Sequence, residues 1–143
     1  MGALNLRAVE KIEELSERLI YGVGKEGLLF SKILIDEKQM LLFYKGYPVQ
    51  LPPTTFKLML LLSKRPGQIV TRDEIYSSLY PDSPNSSRPY DRQTSDHKRK
   101  ILIQIKKALK DPLNPNELRN LIKTRRKVGY VLNIKQENVI ILN

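Results

Sequence analysis

The side chains best equipped for chemistry in this chain are cations gathered on one flank of a helix-forming stretch. Ser95 to Lys110 reads SDHKRKILIQIKKALK. At about 100° per residue, Arg99, Lys100, Gln104, Lys106, Lys107 and Lys110 share one arc, with Ile103 in its middle. The other arc holds Ile101, Leu102, Ile105, Ala108 and Leu109 and predicts a buried face. Ser95 or Asp96 is placed to cap the first turn, and Pro112 stops the helix. A basic flank does no covalent work. It neutralises phosphates, and a helix that carries one fits the major groove of duplex DNA. An ordinary solvated Lys/Arg face gives the same pattern. Arg99, Lys100 and Lys106 suit phosphate clamping, because most protein–DNA hydrogen bonds go to the backbone. Gln104 has the geometry to read adenine or is merely an exposed polar residue. Ile103 is open to a thymine methyl or to an adjoining subunit. His97, the chain's one histidine, reads as a surface residue at the helix start. A second cationic group, Arg125-Arg126-Lys127-Val128-Gly129, lies between two β-prone runs, Leu118 to Thr124 and Tyr130 to Ile134. That arrangement predicts a hairpin with charge at its tip, Gly129 taking a backbone angle that other residues avoid, and Tyr130 packing the hairpin on the core.

Other chemistries find no support in the composition. The chain has 143 residues, no cysteine and a single histidine. Disulfides, thiolate nucleophiles and His/Cys metal clusters are therefore excluded, and no metal or cofactor is expected. No carboxylate pair or nucleophile–base arrangement can be assembled from the spacings, so an enzyme is not expected. The longest apolar run, Leu58 to Leu62, is far too short to cross a bilayer, no signal peptide opens the chain, and Leu6 stands where a myristoylation signal needs Ser or Thr. A soluble, cytoplasmic protein with no membrane partner is the expectation. The net charge is +10, and between Arg88 and Tyr130 thirteen lysines and arginines face four acids. Nine of the ten excess charges thus sit in one segment, which favours a polyanionic partner, although an acidic protein or anionic surface would answer the same field.

The elements that must position these groups can be read in order. Leu4 to Tyr21 is amphipathic, with Leu4, Ala8, Ile12, Leu15 and Leu19 on one side. A helix docked on its own domain and a dimerisation helix are both open. Gly22 to Gly27, GVGKEG, is a flexible joint that only superficially resembles a phosphate loop. Leu28 to Ile35, Met40 to Tyr44 and Tyr47 to Leu51 are short β-prone runs that suit an antiparallel meander. Pro52 and Pro53 open a central core helix, capped by Thr54 or Thr55 and running through Ser63. Gln68-Ile69-Val70 forms one short strand. Thr71 to Glu74 fits a capping box for a second helix that buries Ile75 and Leu79 and halts at Pro81. Asp82 to Arg92, DSPNSSRPYDR, reads as an exposed loop before the basic helix. Val139 to Leu142 is either a terminal strand or a tail.

This order resembles the OmpR/PhoB-type winged-helix DNA-binding domain of bacterial transcriptional regulators. LPPTTFKLMLLL (51–62), RPGQIVTRDEIYSSLY (65–80), IKKALKDP (105–112) and IKTRRKVGYVL (122–132) are similar to its first helix, short strand and second helix, recognition-helix end and wing. The resemblance covers residues 28–134. It implies an α+β fold: an N-terminal antiparallel sheet, a three-helix core and a C-terminal β-hairpin wing, preceded here by the amphipathic helix of 1–27 and followed by 135–143. It also implies sequence-specific binding of double-stranded DNA as a transcriptional regulator, the third helix in the major groove and the wing at the minor groove. The family's contact positions fall on Asp96, His97, Lys100, Ile103, Gln104 and Lys106, and on Thr124, Arg126 and Tyr130, with Arg99, Lys107, Arg125 and Lys127 beside them. The loop 82–92 would touch RNA polymerase, and a homodimer on DNA is open. Lys98 departs from a position normally apolar, and Lys127 stands where the wing tip usually has glycine. The competing reading is a winged-helix interaction or dimerisation module.

Overall fold

In the computed structural model, which describes residues 32–82, 90–109 and 115–143, an antiparallel meander opens the described part of the chain. Strands β1 (Ile33–Asp36), β2 (Leu41–Tyr44) and β3 (Tyr47–Val49) pair in sequence. Lys45 and Gly46 both take positive φ, 50° and 84°, between β2 and β3, the left-handed pair that suits a two-residue hairpin turn. The expected segments 1–27 and 28–31 lie outside the described residues.

Helix α1 (Pro53–Lys64) follows with proline in its first turn, where a missing N–H costs nothing. The expected threonine cap is corrected: Pro52 holds the N-cap position without a side-chain hydrogen bond, and the Thr55 hydroxyl instead meets His97 Nδ1 at 2.8 Å. Phe56, Leu58, Met59 and Leu62 are buried, so α1 is the central core helix the sequence predicts. Strand β4 (Ile69–Thr71) leads directly into α2 (Arg72–Leu79). Thr71 caps α2 by accepting from the Glu74 N–H at 3.3 Å, while the Glu74 carboxylate pairs with Arg65.

Helix α3 (Tyr90–Ala108) begins well before Ser95. Ser95 and Asp96 are therefore interior helix positions rather than caps, and Tyr90 to Arg92 belong to the helix rather than to the loop. The physical reason is Thr94, 4% exposed, which extends the buried stripe of Ile101 and Ile105 by two turns at seven- and four-residue spacing. Residues 83–89 of the expected loop lie outside the described part, as does Lys110.

Leu118 to Leu121, expected as strand, are helical. Helix α4 (Pro115–Leu121) starts on a proline, carries Glu117 in its first turn and lays Leu118 and Leu121 against the core. Glu117 ties it to the first sheet through Lys45 Nζ at 2.8 Å and the Tyr44 hydroxyl at 3.1 Å. Lys45 and Tyr44 hold the Glu117 carboxyl below its ordinary range against the opposing effect of burial, and burial with the facing carboxylate pushes the Tyr44 phenol upward. Strands β5 (Ile122–Arg125) and β6 (Gly129–Leu132) form the hairpin, and β6 also pairs with β4, giving a three-stranded sheet of order β4-β6-β5.

The C-terminal segment settles as strand β7 (Val139–Leu142), parallel to β1 in a sheet of order β3-β2-β1-β7. The N-terminal sheet is thus not wholly antiparallel. A parallel partner needs a long crossover, and everything between β1 and β7 supplies it. One main core joins both sheets to α1, α2 and α3, with Leu58, Met59, Leu62, Ile101, Ile105 and Leu132 fully buried.

Candidate nucleic-acid interface

Ile101 and Ile105, both 0% exposed, pin one side of α3 against α1 and thereby fix which way its other side faces. Each such side chain stabilises by roughly 1.5–3 kcal/mol, so the helix cannot rotate cheaply. Arg99, Lys100, Lys106 and Lys107 consequently lie in solvent, with Ile103 among them at 42% exposure. Leu102, Ala108 and Leu109 are the partly buried margin of the core, as their spacing predicts. Asp96 lies exposed on the same flank, 4.0 Å from Arg99, at the limit of an ion pair. Gln104 is half-buried at the flank's edge.

His97 is corrected. Both ring nitrogens are engaged inside the protein, Nδ1 with Thr55 Oγ1 at 2.8 Å and Nε2 with the Tyr80 hydroxyl at 3.2 Å. It fastens α3 to the start of α1 and the end of α2. Burial, then repulsion by Lys100, lower its pKa from 6.5 against the opposing pull of Asp96.

The hairpin meets α3 through Lys98. Lys98 Nζ donates to Thr124 Oγ1 at 2.7 Å and stands 5.6 Å from the centre of the Tyr130 ring. Thr124 and Tyr130 face each other across β5 and β6. Tyr130 is 9% exposed and joins the core, so the expected packing role holds. Arg125, Arg126 and Lys127 are exposed at the tip, where the Val128 N–H closes the turn on the Arg125 carbonyl at 2.9 Å. Lys127, not Gly129, takes the left-handed angle, φ 65°. Gly129 is required for another reason: a Cβ there would collide with the Val70 carbonyl oxygen and lie 2.9 Å from Thr71 Cα. The glycine lets β6 pass close to β4.

Between α2, α3 and the hairpin runs a cleft of about 320 Å³, its walls including Arg72, Tyr76, Thr94, Arg125, Arg126 and Lys127. Sequence reasoning missed three residues of this surface. Lys98 stood out only as a cation at a position normally apolar, which named no partner for it. Arg72 sits in the first turn of α2, where only the cap was legible. Arg92 is exposed and repeats at seven residues with Arg99 and Lys106, a signal masked by the loop-like DSPNSSRPYDR. Among the described residues, no cluster of His, Cys, Asp or Glu could hold a metal, and no helix is long and apolar enough to cross a membrane.

Helices α1, α2 and α3 packed with the two sheets, and a basic hairpin fastened to α3, define the winged helix-turn-helix class. Residues 46–132 match the family described as transcriptional regulatory protein, C terminal, and the chain belongs to that family, in its OmpR/PhoB-type branch. It is similar to the transcriptional regulatory protein AfsQ1 of Streptomyces coelicolor, 32% identical over 109 residues, 75% of this chain and 43% of the relative. The chain therefore spans less than half the length of that curated relative. Among solved structures it resembles the response regulator DrrB of Thermotoga maritima, an OmpR/PhoB homologue, with TM-score 0.51 and 29% identity over 73% of this chain and 43% of that one. The fold is likewise that of the Klebsiella pneumoniae RstA DNA-binding domain solved with the RstA box, with TM-score 0.53 and 22% identity over 73% of this chain and 93% of that one.

Proposed function

We propose that this chain binds double-stranded DNA in a sequence-specific manner as the effector domain of a bacterial transcriptional regulator, working in the cytoplasm. The flank of α3 enters the major groove, and the hairpin tip reaches the adjacent minor groove or its phosphates. The observation that carries this reading is the bond between Lys98 and Thr124, which ties α3 to the hairpin bearing Arg125, Arg126 and Lys127. Lys100, Arg99 and Lys106 act as phosphate clamps, and Gln104 and Ile103 are the base-facing candidates.

The test is affinity for duplex DNA over a salt series, followed by selection from a randomised pool. With roughly four to seven phosphate contacts, log affinity falls linearly with log salt at a slope near −0.9 per contact. Reversing Lys100 and Lys106 to glutamate abolishes binding, whereas a flat salt response removes the electrostatic premise. The exposure of Ile103 supports a second reading, a docking face for a protein partner or a second copy of the chain. On that reading Ile103→Asp destroys association while the charge reversals spare it.

A further inference from the structure

Lys98 differs from the other cations of α3. Arg99, Lys100, Lys106 and Lys107 project into solvent, whereas Lys98 is half-buried, and burial holds its ammonium below the ordinary lysine range. Its charge is directed at Thr124 Oγ1, 2.7 Å away, with the Tyr130 ring 5.6 Å distant. The pair it meets is one rung of the hairpin, Thr124 opposite Tyr130, immediately before the basic tip.

The hydrogen-bond inventory gives this contact a direction. An ammonium only donates, so Thr124 Oγ1 must accept. A threonine hydroxyl has one hydrogen, and accepting from Lys98 leaves that hydrogen to be donated elsewhere. Thr124 is itself exposed on the outer strand of the hairpin. Accepting from a cation also polarises the hydroxyl and strengthens it as a donor. We infer that Lys98 is a positioning residue: it latches the hairpin to α3 and commits the Thr124 hydroxyl to donating to a DNA phosphate oxygen, without itself clamping a phosphate.

This rests on the DNA-binding reading, and the experiment separates the two. Lys98→Met, Thr124→Val and the double variant of the full chain are titrated against the selected duplex over a salt series. Each single change lowers affinity about tenfold, the worth of one charge-assisted hydrogen bond. The double variant is no weaker than either single one, because both remove the same contact. The salt slope of Lys98→Met stays that of the wild type, whereas loss of a clamp lowers it by about 0.9. Lys98→Arg, still an obligate donor, and Thr124→Ser, still a hydroxyl, keep the wild-type affinity. Amide exchange in the free protein quickens at Arg125 to Val128 in Lys98→Met. If that variant fails to melt cooperatively, Thr124→Val against Thr124→Ser decides the question.

Multiplying losses in the double variant together with a reduced slope would make Lys98 an independent clamp and overturn the inference. Wild-type affinity in Lys98→Met or in Thr124→Val overturns it as well. Failure of the wild type to bind duplex at any salt sinks the DNA reading itself, before a variant is made.

Discussion

A histidine between two hydroxyls can stay neutral, one nitrogen donating and the other accepting, and the desolvated site of His97 favours that form. Its folded pKa is depressed below 6.5, so the unfolded chain takes up a proton first as pH falls. Stability from this site is complete above that value and is lost as pH drops through the lower folded pKa. We predict that the melting temperature of the wild type falls more steeply between about pH 7 and pH 5 than that of His97→Gln, measured by thermal unfolding. Glu117, also lowered, contributes stability that is lost as pH falls from about its ordinary value of 4.5 through its lower folded pKa, so its loss begins on the acid side of that of His97. Little of this was legible in the sequence. His97 read as a surface residue at the helix start, and nothing local to the helix indicated that Thr55 and Tyr80, 42 and 17 residues distant, would enclose it.

The two basic elements are held by different devices. The orientation of α3 follows from its own apolar stripe, which is why its exposed cations were readable from periodicity alone. Its start was not, because a capping residue has the same local appearance inside a helix as at its end. Here the tertiary contact at Thr94 decided. The hairpin turn depends on Lys127 at φ 65°, an angle that costs a side-chain-bearing residue about 1–2 kcal/mol. Lys127→Gly relieves that cost while loosening the unfolded chain by a comparable amount. The expected outcome is a melting temperature within a few degrees of the wild type. If Lys127 clamps a phosphate, the salt slope for DNA falls by about 0.9 at the same time. A large loss of stability would show that the lysine side chain holds the turn.

The whole domain is closed by its last strand. β7 covers the edge of β1, and Leu142 and Ile141 pack on opposite faces of the sheet it completes. Deleting residues 139–143 uncovers a hydrogen-bonding edge and apolar surface on both faces. It is therefore expected to lower the melting temperature of the entire domain, rather than trim a tail, with a protease-sensitive product under otherwise native conditions. An unchanged unfolding transition would assign the strand no structural part.

Hydrophobic period, proline and glycine placement and the clustering of charge are properties of neighbours in the chain. From them alone came the order of elements from β1 to α3, the core helix, the buried and basic faces of α3 and the cationic hairpin. Contacts between distant segments decided the rest: the parallel return of β7, the helical form of Pro115–Leu121, the enclosure of His97 and the engagement of Lys98 with Thr124. The division has a physical cause. Local pattern specifies which face of an element leaves water, whereas a strand's partner, a hydroxyl's direction and the need for Gly129 beside Val70 exist only once remote backbones approach.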